Sequence, residues 1–297
     1  MPGFTLRSPA KLNLYLKVIN KRKDGYHNIV TLFERINLWD DIQLSTAKTN
    51  EIHIECDHPH VPLGPENLVH KAAKMLQEDL GLKKGVKIKI KKRIPVAAGL
   101  GGGSSNAATV LLGLNRLWHL HLSHSQLLSY ARKIGSDVAF FMHNCSWALG
   151  TERGDKIKKI NIKTRLWHIL VAPDIALRSK DVYGALKQHT NLLTNLNANV
   201  NILIAHLKKN NIEALGFLIS NDLEKAVFDL CPSLKKLKEE LKSLKIQGVM
   251  TSGSGPAVFG LTQTKKKAEK IASLLAVSPP LGEFQGGYGQ VFVVKTF

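Results

Sequence analysis

The 297-residue sequence predicts an α+β fold, or a mixed α/β one, arranged in two lobes. Three observations carry this. Runs with strand period alternate with segments of helical period in each half of the chain. A Gly/Ser-rich block at residues 94–109 (IPVAAGLGGGSSNAAT) is wedged between a strand pattern and a helix pattern. From residue 166 the alternation restarts with the apolar run WHILVA at 167–172, so the lobes are expected to join near residues 150–165. The expected division is 1–160 and 161–297, each long enough to bury its own core.

In chain order, residues 5–19 read as a strand or strand pair, 20–28 as a connection containing Gly25, and 29–38 and 41–44 as two further strands. Residues 59–65 are a turn-rich loop, and 67–80 (NLVHKAAKMLQEDL) an amphipathic helix stopped by Gly81. VKIKIKKRI at 86–94 alternates apolar and basic residues, the mark of a half-buried strand. Residues 106–117 are helical, 123–134 form a second helix with Ser123 as its cap, and 135–141 turn the chain inward. In the second half, 179–187 read as a short helix and 192–197 as a polar connector. Helices follow at 202–208, 212–218, 233–244 and 265–275, with strands opening at Val249 and closing at 290–294. No internal repeat or low-complexity tract interrupts this order.

With 42 Lys and Arg against 23 Asp and Glu, the formal charge is +19, which suits a polyanionic partner, either nucleic acid or a nucleotide. The basic runs at 83–93, 156–165, 235–245 and 265–270 alternate with apolar positions and read as solvated faces of amphipathic elements. No aromatic residues interleave them as a base-stacking platform would require, so nucleic acid is not expected. No apolar run reaches the roughly 18 residues of a membrane span, and MPGFTLRSPAKLN lacks a signal peptide's hydrophobic stretch. A soluble cytoplasmic protein with no membrane partner is the expectation. Cys56, Cys145 and Cys231 are too widely spaced for a disulfide framework and are expected to be reduced and mostly buried. His53, His58, His60 and His119, His121, His124 cluster in polar, loop-like surroundings without metal spacing, so no protein-built metal site is expected.

The glycine block has the build of a phosphate cradle. Gly99, Gly101, Gly102 and Gly103 can take positive φ and turn several N–H groups toward one point, and the following helix adds its free N-terminal N–H groups. A flexible linker shares the composition but does not sit between a strand and a helix without polar padding. A Walker loop needs a lysine that is missing here, and Ser104 spoils the second half of a dinucleotide fingerprint begun by Gly99 and Gly101.

The pattern Pro-x-x-x-Gly-Leu-Gly-x-x-Ser-Ser/Asn-x-Ala is carried by Pro95, Gly99, Leu100, Gly101, Gly103, Ser104, Ser105 and Ala107. It resembles the phosphate loop of the superfamily of galactokinase, homoserine kinase, mevalonate kinase and phosphomevalonate kinase. The triple glycine followed by SSNAA resembles one subfamily, whose acceptor is a cytidine diphosphate-linked methylerythritol of the non-mevalonate isoprenoid pathway. SPAKLNLYLKV at 8–18 with KDGYHN at 23–28, and MTSGSGPAVFG at 250–260, match further blocks in the right order. The resemblance implies an N-terminal ATP-binding domain of the ribosomal protein S5 domain 2-like fold and a C-terminal α/β sandwich on the substrate side. It also implies phosphorylation of an acceptor 2-hydroxyl with ATP and Mg2+, by a monomer or weak homodimer.

By the same resemblance, Pro95, Val96, Ala97, Ala98, Gly99 and Leu100 lead into the cradle, and Gly101, Gly102, Gly103, Ser104 and Ser105 close it. Asn67 in PENLV and Lys92 ahead of the loop are implied contacts to adenine and phosphate. Phosphoryl transfer to an alcohol also needs a carboxylate and a cation. Asp137, between the polar turn GS and the apolar run VAFFM, is by its setting either a helix cap or such a carboxylate, and the resemblance implies the catalytic role. In SPAKLNLYL, alternation puts Lys11 and Asn13 on one strand face and Leu12 and Leu14 on the other. The match places Lys11 at the acceptor hydroxyl and Asn13 on the substrate side. Tyr26 offers a face for base stacking, His27 can read a pyrimidine edge, and Tyr183 is the expected second face of the stack. Asn106 stands where many members carry aspartate, and Ala139 where proline is expected. With no acidic metal ligand evident, Mg2+ is expected on phosphate oxygens, water and a hydroxyl such as Ser105.

Overall fold

The computed structural model describes residues 3–186, 196–277 and 288–297. It opens with a long hairpin of β1 (Phe4–Lys21) and β2 (His27–Thr46), paired from Phe4 opposite Leu44 to Lys21 opposite His27. The two strands expected at 29–38 and 41–44 are thus one. A register shift between Pro9 and Ala10 absorbs the extra residues of β2, so the polar stretch that looks like a break remains extended.

Then follow β3 (Ile52–Cys56), α1 (Leu68–Asp79) and β4 (Val86–Lys91). Alternation in β4 works as expected: Val86, Ile88 and Ile90 are buried while Lys87, Lys89 and Lys91 are exposed. In α1 the spacing of Val69, Ala72, Ala73 and Leu76 lays one apolar stripe on the core. α2 (Gly102–Leu117), α3 (His124–Ile134) and α4 (Ser136–Met142) come next. Ser123 caps α3 through a reciprocal pair with Gln126. Residues 135–141, expected as a turn, supply α4, whose Val138, Ala139, Phe140, Phe141 and Met142 are all buried. β5 (Trp147–Thr151) and β6 (Lys156–Lys159) complete this half as a hairpin that the alternation did not reveal.

The second half runs β7 (Trp167–Ala172), α5 (Ser179–Gly184), α6 (Leu196–Lys208), α7 (Ile212–Leu218), β8 (Ser220–Asn221) and α8 (Glu224–Leu230). It ends with α9 (Pro232–Ser243), β9 (Gln247–Thr251), β10 (Val258–Thr262), α10 (Lys265–Val277) and β11 (Gln290–Lys295). Residues 192–195 of the expected polar connector lie outside the described residues.

One sheet has the order β3-β4-β2-β1-β8, with β5 on β2 and β6 on β5; the other has the order β11-β7-β10-β9. Helices α1 to α4 cover the first sheet around Ile42, Leu44, Ile88, Val110 and Leu114. The run WHILVA is apolar throughout because both of its faces are covered. Leu170 and Ala172 join a cluster with Leu12, Leu14 and α6, whereas Ile169 and Val171 face α9 and α10. The two sheets therefore share a core, and β8 crosses back to pair with β1 in parallel. His53, expected in a loop, lies on β3 with its side chain exposed. The three cysteines are free but half-buried rather than mostly buried.

Candidate active site

The loop from β4 to α2 is shaped by Gly99 (φ +79°) and Gly101 (φ +70°), which is the N-cap of α2. A Cβ on Gly99 would stand 2.1 Å from the Ser252 carbonyl oxygen, so only glycine fits. Ser105 N–H donates to Gly101 O at 2.8 Å and starts the helical ladder. The N–H groups of Gly102, Gly103 and Ser104 precede it and have no intrahelical acceptor. Together with the helix dipole they make this end of α2 rich in unpaired donors, a setting suited to an anion. The β9–β10 turn backs it directly: Ser252 Oγ donates to Gly99 O at 3.1 Å and Ala257 N–H to Ala98 O at 3.3 Å. Asn221 holds that turn by donating to Gly253 O at 2.8 Å.

Beneath the cradle lies Asp40, which the sequence reading passed over. Its carboxylate is 0% exposed and accepts from Lys92 Nζ at 2.6 Å, Arg93 N at 2.7 Å, Ile94 N at 2.9 Å and Asn106 Nδ2 at 2.9 Å. A buried carboxylate with this many donors fixes the loop's stem. Its signal was an acid inside an apolar strand, which alternation alone reads as a break. Lys92, expected as a phosphate contact, enters the cavity wall as the partner of Asp40 and not as a free cation. Asn106 donates to both Asp40 and Ser8 Oγ, where an aspartate would set two buried carboxylates against each other. Ser105, expected to offer a hydroxyl to the metal, is fully buried and accepts from Ser8 Oγ at 2.8 Å; Ser104 faces the cavities instead.

Two cavities flank the cradle. A cavity of about 340 Å³ is walled by loop residues 95–104 and by Asn67, Leu68 and Leu177. Another, of about 690 Å³, is walled by Asn13, Tyr26, His27, Arg153, Tyr183 and Gly253. Lys11, Ser104, Asp137, Ser179 and Ser254 line both. The cavities therefore meet at one seam, and Lys11 Nζ lies there 3.4 Å from Asp137 Oδ2. Lys11 also donates to Asn13 Oδ1, and Asn13 Nδ2 donates to Thr31 Oγ1 at 2.7 Å, so the cation is oriented from below. Ser179 Oγ and Ser254 Oγ, 2.7 Å apart, tie α5 to the second glycine turn.

Asn67 lines the smaller cavity, but its amide is already engaged. It accepts from Val69 N–H at 2.9 Å as the cap of α1 and donates to Pro62 O at 2.6 Å. In the larger cavity His27 and Tyr183 stack, with ring centroids 5.1 Å apart and planes 25° apart. Tyr183 thus packs on His27 in the wall of the same cavity that Tyr26 lines. Burial, aided by the Asp137 charge, pushes the Tyr183 phenol up and keeps it a hydrogen-bond donor. Burial and nearby Lys21 hold His27 below the usual imidazole range, so its neutral ring offers one donor and one acceptor. Tyr26 is 53% exposed, with the Arg153 guanidinium 5.1 Å from its ring centre. Arg153 and Ser179 carried no local motif; only the tertiary arrangement brings them here.

Residues 67–144 match the GHMP kinases N terminal domain and residues 203–276 the GHMP kinases C terminal domain. A 4-diphosphocytidyl-2-C-methyl-D-erythritol kinase of Shouchella clausii (strain KSM-K16) is 40% identical over 268 residues, covering 90% of this chain and 89% of the relative. The Exiguobacterium sibiricum protein of the same name is 38% identical over 290 residues, covering 98% and 96%. A crystal structure of a 4-(cytidine 5'-diphospho)-2C-methyl-D-erythritol kinase superposes with a TM-score of 0.78 at 30% identity, covering 98% of each chain. A homoserine kinase from Cytophaga hutchinsonii, 19% identical with a TM-score of 0.74 and covering 100% and 95%, shares the fold. The chain belongs to the 4-diphosphocytidyl-2-C-methyl-D-erythritol kinase family of the GHMP kinases.

Proposed function

We propose that this protein transfers the γ-phosphoryl group of ATP to the 2-hydroxyl of 4-diphosphocytidyl-2-C-methyl-D-erythritol, in the cytoplasm, as a step of non-mevalonate isoprenoid synthesis. The observation that carries the reading is the seam at Lys11 and Asp137, where a glycine-walled cavity meets an aromatic-walled one. Residues 1–160 supply the ATP-binding domain and 161–297 the substrate-side domain in this reading.

ATP occupies the smaller cavity with its phosphates on the N–H groups of Gly102, Gly103 and Ser104. The acceptor lies in the larger one, its cytosine against Tyr26 and His27 and its polyol toward Asn13. Asp137 accepts the hydrogen of the attacking hydroxyl as the new oxygen–phosphorus bond forms and the bond to the bridging oxygen of ADP breaks. Lys11 balances charge on the transferring group. Among the described residues no cluster of three or more His, Cys, Asp or Glu side chains is arranged to hold a metal. Mg2+ would fit such a site by keeping phosphate oxygens and water as most of its shell, with the Ser104 hydroxyl as the protein's oxygen donor at the seam. It neutralises phosphate charge when bound.

The test is incubation of purified protein with ATP, Mg2+ and a panel of polyols with and without the cytidyl diphosphate group. Turnover restricted to the cytidyl acceptor is expected. Equal turnover of free polyols or of homoserine would overturn the assignment.

A further inference from the structure

Tyr26 sits at the tip of the β1–β2 hairpin, and its backbone is pinned on both sides. Arg22 N–H donates to Tyr26 O at 2.8 Å, and Tyr26 N–H donates to Asp24 Oδ1 at 3.1 Å. The ring itself is half-exposed. Its contact comes from a second hairpin. Arg153, between β5 and β6, lies with its guanidinium carbon 5.1 Å from the ring centre.

Arg153 is itself held rigidly. Its Nε and Nη2 both donate to Asp155 Oδ2, at 3.2 and 2.5 Å, and Nη2 also reaches Arg132 O at 3.3 Å. Asp155 is nearly buried, so the guanidinium is anchored against the protein and not waving in solvent. Ile29 N–H donates to Glu152 O at 2.7 Å and locks the two hairpins in register. Both Tyr26 and Arg153 line the acceptor cavity.

We infer that Arg153 is a positioning residue for acceptor specificity: it covers one face of Tyr26 and presents the other face to the acceptor's pyrimidine base. A cation over an aromatic face is attractive, and a ring already fixed loses less freedom when a base stacks on it. The base then completes a layer of guanidinium, phenol ring and pyrimidine. Asp155 acts one step further back by fixing Arg153. The inference rests on the reading of Tyr26 as the base platform.

Steady-state kinetics of the full-length protein with ATP, Mg2+ and 4-diphosphocytidyl-2-C-methyl-D-erythritol test it, using Arg153→Met, Arg153→Lys, Tyr26→Leu and the Arg153→Met/Tyr26→Leu pair. Arg153→Met is expected to raise the acceptor KM about 3- to 30-fold, the range one partly desolvated cation–π contact supports, with the effect on KM and not on kcat or the KM for ATP. Arg153→Lys, which keeps the cation, should recover part of the loss. In the Tyr26→Leu background the added Arg153→Met change should have no effect on KM, because the ring it orients is gone. Tyr26→Leu with a raised KM beside a silent Arg153→Met, even one that melts earlier, would overturn the positioning role alone. A Tyr26→Leu variant with unchanged acceptor KM would overturn both this role and the base platform. An Arg153→Met effect that persists without Tyr26 would mean direct contact with the acceptor and would also overturn it.

Discussion

Lys11 Nζ stands 3.4 Å from Asp137 Oδ2, yet the pair is asymmetric: the lysine side chain is 4% exposed and the aspartate 34%. The cation is sealed against Asn13 and the loop, while the carboxylate keeps an edge open to both cavities.

Asp137→Asn keeps the shape and removes the charge. It is expected to lower kcat by on the order of 10²-fold or more, with the affinity for a non-hydrolysable ATP analogue little changed. Kinetics and analogue titration on the purified variant check this, and near-normal kcat would remove Asp137 from the mechanism.

Gly101→Val attacks the cradle. The φ of +70° is strained for any side chain, and a Cβ there would approach Phe141 Cε2 at 2.9 Å and Lys11 Cγ at 3.1 Å. Nucleotide binding should be lost while circular dichroism still reports the native secondary structure. Unchanged affinity for the ATP analogue would place the phosphates elsewhere.

Asp40→Ala leaves the buried ammonium of Lys92 without its partner and frees two backbone donors. Breaking one side of a buried ion pair costs about 3–5 kcal/mol, so denaturant unfolding should report a loss of that order. The KM for ATP should rise more than that for the acceptor, because the stem of the glycine loop loosens. Stability within experimental error of the parent would show that Lys92 finds water.

His143 gives a pH signature. Burial, and then the charges of His124, Lys159, Arg132 and Arg35, lower its pKa to about 4. The unfolded chain takes up the same proton near the ordinary imidazole value of about 6.5. Between those values unfolding binds a proton, so the contribution of neutral His143 is intact above about 6.5 and declines as pH falls toward 4. His143→Gln should flatten the fall in melting temperature over that window. Parallel curves for parent and variant would assign the acid sensitivity to other groups.

Legibility followed the range of the physics involved. The stripe of Val69, Ala72, Ala73 and Leu76, the alternation of β4 and the Ser123 cap depend on neighbours within a turn or two, and the structure shows each as expected. Hairpin β5–β6 was missed because LGTERGDKI carries neither a clear period nor a strong turn dipeptide, and the strand forms by pairing with β2. The glycine block stood out in the sequence because Gly99 and Gly101 hold positive φ in tight surroundings that a side chain does not tolerate.

By itself, the sequence determined most of the elements, the glycine-rich loop between β4 and α2 and the residue types gathered around it. Backbone propensity, side-chain period and the glycine requirement at positive φ are local and can be read along the chain. Only the tertiary structure decided that Asp40 absorbs the charge of Lys92, that Ser105 turns inward while Ser104 faces the seam, and that Tyr183 pairs with His27. It also decided that Arg153 comes to rest on Tyr26. Each of these depends on which distant segments meet and on how much water they exclude, because desolvation sets whether a charge needs a partner and which partner it finds.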